Sequence, residues 1–260
     1  INFFRAMSLG VTVQAGANLT NTYYDFVNGV DTKETVACGS GDKTLVDKKM
    51  STTGVVLLSV FFYLCAIGCI IPSLNVEHTL GIFAVGMTLA FFYTAKPIGL
   101  KYKALGDVTI FICFGPLLMQ CTSLLLTGTL NDRLYLYSVP IGLLTECILH
   151  ANNSRDIRAD RAAHATTLPT LVGFDMSRTF FFLLLIGVYA SAAYIAATDR
   201  WGCISVFLTL PMAIDLSSKF RDDVKVMLEL PEGCAKMHLP FGILMFLGIK
   251  FTDSGLLPWL

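Results

Sequence analysis

The chain has 260 residues, of which 54% are hydrophobic and only 15% charged, and its 19 basic and 19 acidic side chains cancel. A soluble domain of this size carries about 25% charged residues, so the composition excludes an ordinary water-soluble protein and points to an integral membrane one, as does the mean hydropathy of +0.65. Zero net charge leaves no polybasic surface to hold nucleic acid, and no nucleic-acid partner is expected.

A spanning helix needs about 20 apolar residues. Candidate segments run over 3–22, 52–72, 78–95, 106–127, 134–151, 178–197, 201–218 and 239–258, eight in all. Pro116, Pro140 and Pro211 fall inside these runs, which membrane helices tolerate because neighbouring groups re-satisfy the backbone. The expected fold class is therefore all-α, a polytopic transmembrane helix bundle, in one domain over 1–260. The chain begins at Ile1, already inside an apolar run, so an earlier N-terminal piece is expected. The loops 23–51, 96–105, 152–177 and 219–238 follow alternate segments and share one face. They hold most of the Lys and Arg, whereas the opposite loops hold little beyond Arg133 and Arg200. That bias places the long-loop face in the cytoplasm. The eight cysteines sit mostly in apolar runs without CxxC spacing and read as free packing residues rather than a disulfide framework.

Two acidic clusters interrupt this apolar chain. NTYYDFVNGVD, 21–31, places Asn21, Asp25 and Asp31 after the first segment, and NNSRDIRAD, 152–160, places Asn152, Asn153, Asp156 and Asp160 after the fifth. Asp156 and Asp160 are four apart, on one helix face, where two carboxylates repel unless a cation lies between them. Arg155 and Arg158 offer one such charge, and a divalent metal offers another. Asp25 and Asp31 are six apart, with Gly29 available to break the helix and bend the chain back. Ionisable groups at a membrane boundary are costly and point to function, although ordinary charged helix ends are the plainer reading of either cluster alone. Hard carboxylate and amide oxygens suit Mg²⁺, which completes its octahedron with water and phosphate.

With YTAKPIGLKYKALGD and HANNSRDIRADRAAHATTLPTLVG, these stretches resemble the UbiA superfamily of intramembrane aromatic prenyltransferases over nearly the whole chain. The resemblance is greatest to its animal, menaquinone-4-forming branch, and next to its bacterial menaquinone-forming members. It implies a nine-helix bundle around a cavity, with the first helix preceding the segments counted here. It also implies Mg²⁺ as cofactor, with Asp25, Asp31, Asp156 and Asp160 as metal-binding and catalytic residues. Asn21, Lys43, Tyr93, Lys101, Asn152, Asn153 and Arg155 are then the substrate-binding set. The loop TKETVACGSGD is longer than in the animal branch, and the YTAKPIG turn is closer to the bacterial form.

The implied reaction moves a prenyl group, geranylgeranyl by preference, from its diphosphate to a naphthoquinol ring such as menadiol, making menaquinone (vitamin K). Membrane lipid and a sterol-synthesis enzyme are the implied partners, in the endoplasmic reticulum or Golgi, with a mitochondrial membrane as the alternative. Phe91, Phe92, Tyr93 and Phe114 are candidates to face an allylic cation, although for all but Tyr93 a packing or lipid-facing role is the plainer reading. His150 lies just before the second motif within reach of the site, with a structural role as its plainer reading. Three other readings stand beside this one. A transporter would bury its charges at mid-helix, a noncatalytic isoprenoid- or sterol-sensing scaffold would not need the metal, and another UbiA enzyme would use a different aromatic acceptor.

Overall fold

A computed structural model describes residues 2–253. Eight long helices follow one another: α1 (Asn2–Val27), α2 (Thr52–Ile70), α3 (Thr79–Phe92), α4 (Gly106–Thr127), α5 (Arg133–Arg155), α6 (Phe174–Thr198), α7 (Trp201–Lys219) and α8 (Val224–Asp253). The only strand-like pairing among the described residues is an isolated bridge between Lys103 and Thr166. Six of the helices, α2 and α4 to α8, are long and apolar enough to cross a membrane. The other two differ for separate reasons. The 14-residue α3 is short, and the 26-residue α1 is interrupted by Gln14, Asn18, Asn21 and Asp25. Leu57, Phe61 and Leu64 of α2, Phe182 and Ile186 of α6, and Phe246 of α8 are exposed. Helices that are apolar on their outer faces as well suit a lipid surround.

Local sequence explains most helix boundaries. The Ser51 hydroxyl accepts from the Gly54 amide at 3.0 Å and starts α2. In the loop 28–51, Thr32 and Thr35 form a reciprocal capping box that starts a one-turn helix, Lys33–Ala37. Within α4 the turn Cys113–Leu117 is a π-turn around Pro116, which has no N–H to donate.

The last helix departs from expectation. α8 begins at Val224, inside what reads as the loop 219–238, and passes through Pro231 and Pro240. Its first half is amphipathic rather than uniformly apolar. Met227, Leu230, Cys234 and Met237 are buried, while Glu232 and Lys236 pair at 2.7 Å on the exposed face. Charges and prolines hide such a helix from a hydropathy count. The stretch 254–258 of the expected last segment lies outside the described residues.

Burial divides the bundle into unequal halves. Helices α5 to α8 share one large core, built on Leu144, Phe181, Val188, Ile195, Phe220, Met237 and Phe241. Helices α1 to α4 share a much smaller one, Leu9, Ala66, Ile70 and Leu125. All eight thiols are free. The tightest helix contact is between α7 and α8, where a Cβ on either Gly202 or Gly248 would overlap the backbone of the other. Small residues allow such close approach in membrane bundles. Gly202→Val should therefore lower stability by about 3 kcal/mol, read as thermal unfolding in detergent. Gly242→Ala, where a Cβ meets nothing within 4 Å, should be neutral or stabilising by up to about 1 kcal/mol.

Candidate functional site

The first acidic motif is a helix end folded back on itself. After α1 stops at Val27, Gly29 takes a positive φ of 74°, which only glycine adopts at no steric cost. The chain then reverses. The backbone amides of Val30 and Asp31 both donate to the Asp25 carbonyl, at 2.8 and 3.1 Å. The irregular six-residue spacing thus brings Asp31 back beside Asp25, as the placement of Gly29 implies. Asp31 then accepts from the Asp42 amide at 3.0 Å.

The second motif sits at the junction of α5 with a short helix, Ile157–Ala162. The backbone bends at Asp156, yet the Asp160 amide still donates to the Asp156 carbonyl at 2.8 Å. The two carboxyl groups keep their i, i+4 relation. Arg155 grips Asp156 with two bonds, Nε to Oδ1 at 2.7 Å and Nη2 to Oδ2 at 2.6 Å. Asp160 is buried and accepts from the Thr167 hydroxyl at 3.3 Å.

A loop between α3 and α4 joins the motifs. The Lys101 amide donates to the Tyr93 carbonyl at 2.8 Å, and the Ala104 amide donates to the Thr166 carbonyl just past the second motif at 2.7 Å. Held this way, Lys101 Nζ donates to Asp25 Oδ2 at 2.6 Å and to Asn21 Oδ1 at 3.3 Å. The Tyr102 hydroxyl takes the other Asp25 oxygen at 2.7 Å. Burial alone would lower the Lys101 pKa, but Asp25, Asp160 and Asp31 around it hold it above the usual lysine value.

These residues close one end of a cavity of about 660 Å³. Its polar end carries Asn21, Asp25, Asp31, Asp42, Lys101, Asn152, Asn153, Arg155, Asp156 and Asp160. The rest is largely apolar, with Leu9, Val13, Ile82, Phe83, Met87, Leu117 and Leu125 among its walls. Burial pushes the Asp160 carboxyl up to about 7, with Lys101 opposing and Asp156 adding to the shift. Burial likewise pushes Asp31 up to about 6, against the Asp42 amide that stabilises its charge and with Asp25 adding repulsion. Carboxylates held together out of water beside amide oxygens form a donor set that fits a hard divalent cation.

The structure therefore brings together ten of the eleven residues singled out in the sequence, including Tyr93 on the cavity wall. The exception is Lys43, which is exposed and does not line the cavity. The neighbouring Asp42 takes that place. It caps the short helix Lys43–Val46 through a 2.7 Å bond from the Thr44 amide and accepts from the Thr22 hydroxyl at 2.7 Å. Burial would raise its pKa, but these two bonds outweigh it and hold the carboxyl below the usual range. The cap turns Lys43 outward. Asp42 and Tyr102 are the two site residues not anticipated. An Asp directly before a short helix is a legible cap, but its partner Thr22 is 20 residues away. Of the aromatic candidates, Tyr93 and Phe114 line the cavity, whereas Phe91 and Phe92 do not. His150 is fully buried and directed elsewhere, with Nδ1 3.3 Å from Asp107 Oδ1 and Nε2 donating to the Ser177 carbonyl at 2.9 Å.

Comparison with known proteins agrees with this geometry. The UbiA prenyltransferase family matches residues 1–225. The chain is similar to UbiA prenyltransferase domain-containing protein 1 of Gallus gallus, at 36% identity over 95% of this chain and 74% of the relative. It is similar to the Homo sapiens protein of the same name, at 36% identity over 95% and 72%. The Drosophila melanogaster homolog is 34% identical over 93% and 67%. The family joins prenyl diphosphates to aromatic acceptors and is generally dependent on a divalent metal. With its bundle of membrane-crossing helices, its paired aspartate motifs and this match, the chain belongs to the UbiA prenyltransferase family, as an integral multi-pass membrane enzyme.

Proposed function

We propose that this enzyme transfers a geranylgeranyl group from its diphosphate to a naphthoquinol ring such as menadiol, with Mg²⁺, to make menaquinone in an endoplasmic reticulum or Golgi membrane. The observation that carries the reading is a single cavity with both aspartate motifs and Lys101 at one end and apolar walls beyond. The choice of a naphthoquinol rests on the wording of the two motifs, NTYYDFVNGVD and NNSRDIRAD.

In this reading Asp25, Asp31, Asp156 and Asp160 would hold Mg²⁺, which when bound would supply Lewis-acid stabilisation of the departing diphosphate. Lys101 adds a fixed positive charge at the same end, where developing phosphate charge is most strongly stabilised. The amides of Asn21, Asn152 and Asn153 line the same end of the cavity and orient the diphosphate. Arg155 holds the Asp156 carboxylate in one rotamer through its two bonds. Departure of the diphosphate leaves an allylic cation, and the apolar walls exclude the water that would trap it. Tyr93 and Phe114 line the cavity, and an aromatic ring beside that cation would stabilise it. The Tyr93 hydroxyl itself is buried beside Gly106 and has no hydrogen-bond partner.

The test is to express the chain in membranes with geranylgeranyl diphosphate, reduced menadione and Mg²⁺ and to measure menaquinone-4 by mass spectrometry. Product should form with the wild type and fall at least about 10³-fold with Asp25→Asn or Asp156→Asn; Lys101→Met should cost about 10²-fold in kcat. Absence of product from the wild type, or undiminished product from both aspartate variants, would sink the proposal. Lys43→Ala should leave the rate unchanged, because its side chain is outside the cavity.

A pH dependence follows from the two raised carboxyl groups. Binding a divalent cation must displace protons from Asp31, near 6, and Asp160, near 7. The Mg²⁺ concentration for half-maximal rate should therefore rise as pH falls, by about 100-fold between pH 7.5 and 5.5. In the absence of Mg²⁺ the same shifts make stability highest in acid, and it is lost as pH rises from the usual Asp value through 6 to 7. A Mg²⁺ requirement that is flat over this range would contradict both carboxyl assignments.

A further inference from the structure

Behind the cavity wall, α4 and α5 bring together three more ionisable side chains. Glu146 and His150 are four residues apart on α5, on a face turned away from the cavity that Thr145, Leu149 and Asn152 line. Asp107 reaches them from the first turn of α4. One ligating atom from each lies within 4.8 Å of the other two. All three residues are buried, with relative exposures of 8% for Asp107, 3% for Glu146 and 0% for His150.

The bonding around the trio is one-sided. His150 Nε2 is 2.9 Å from the Ser177 carbonyl oxygen. A carbonyl only accepts, so Nε2 carries the hydrogen, and in a neutral ring Nδ1 presents a lone pair. That lone pair faces Asp107 Oδ1, another acceptor, at 3.3 Å. Asp107 Oδ2 and both Glu146 oxygens are buried with no hydrogen-bond partner. With both carboxyl groups ionised, acceptors converge on one point, and the charge there is balanced either by a cation or by protons held between Glu146, Asp107 and His150.

We propose that Asp107, Glu146 and His150 bind a divalent transition-metal cation of the Zn²⁺ class, at a site separate from the diphosphate end of the cavity. Two carboxylates and a neutral imidazole balance a charge of +2. Mixed imidazole and carboxylate ligands favour Zn²⁺ over Mg²⁺, which prefers an all-oxygen octahedron. A metal-bound histidine characteristically donates its other N–H to a carbonyl or carboxylate, as Nε2 does here. Its ring also lies against Phe180 and Phe220, with centroids 5.5 and 6.4 Å away, giving the apolar surround of a closed site. Zinc bonds of about 2.1 Å place ligand atoms roughly 3.4 Å apart, so the three side chains need to draw in by about an ångström. The ion would pin α4 to α5 beside Gly106, whose Cβ position is 3.4 Å from the Tyr93 hydroxyl. Its role is to hold that part of the cavity wall in place.

The test uses the full chain in detergent, stripped with EDTA, reloaded with Zn²⁺, desalted and analysed for metal. Asp25→Asn with Asp156→Asn provides a background in which the diphosphate site is disabled. That background should retain about one Zn²⁺ per chain, and adding Glu146→Gln should reduce it to below about 0.1. Zn²⁺ should raise the melting temperature of the first protein and not of the second, and Co²⁺ loading should give visible absorption bands only in the first. If Glu146→Gln fails to fold, Asp107→Asn gives the same reading. The proposal is overturned if the background protein retains no Zn²⁺, the outcome when two protons balance the trio instead, or if the substituted protein retains as much.

Discussion

The buried pair of Lys101 and Asp25 is the contact on which the site depends. Its charges are 2.6 Å apart, with side chains only 13% and 6% exposed. Removing one member of such a pair leaves an uncompensated charge and costs about 3–5 kcal/mol, although the intact pair is itself a poor source of stability. Its value here is positional. Asp25 ends α1, Lys101 belongs to the loop before α4, and that loop is tied by the Ala104 amide to Thr166, beyond the second motif. Two acidic clusters more than a hundred residues apart are thus brought to one end of one cavity through a single loop.

This arrangement explains why α1, though 26 residues long, is not apolar enough to count as a membrane span. A helix facing only lipid and protein core has no use for Gln14, Asn18, Asn21 or Asp25. One that lines a cavity with a charged end needs them, and all four are on the cavity wall. The same hollow explains the small core of the first half. Leu9 and Leu125 are buried in that core and also border the cavity, so much of the apolar surface of α1, α3 and α4 faces the cavity instead of a neighbouring helix.

Much of this was legible in the sequence for physical reasons that can be named. Hydropathy located the long segments, six of whose helices are apolar enough to cross a membrane, because a lipid-facing helix is apolar on its outer side as well. Gly29 revealed the reversal between Asp25 and Asp31 because few other residues take a positive φ there. The pairing of the aspartate motifs was readable from their resemblance to a family, since periodicity alone does not show which helix ends meet. What escaped was set by tertiary contact. The first half of α8 is amphipathic and contains Pro231, so it reads as a loop. Asp42 and Tyr102 enter the site through Thr22 and Asp25, far away in sequence, and Lys43 is turned out by a cap made by its own neighbour. His150 is next to the second motif in the chain, yet one turn of helix directs it to the opposite side.

The unequal packing of the two halves has a consequence for how enzymes of this shape diverge. The crossing of Gly202 with Gly248 and the large core they adjoin belong to α5–α8, while Phe83, Met87 and Leu117, deep in the apolar part of the cavity, belong to α3 and α4. Substitutions that lengthen, shorten or widen the apolar part of the cavity therefore fall on a lightly packed wall, away from the contacts that keep the bundle folded. In the proposed reading, tail preference drifts through changes in side-chain volume on α3 and α4, leaving the charged end and the framework of the second half unaltered.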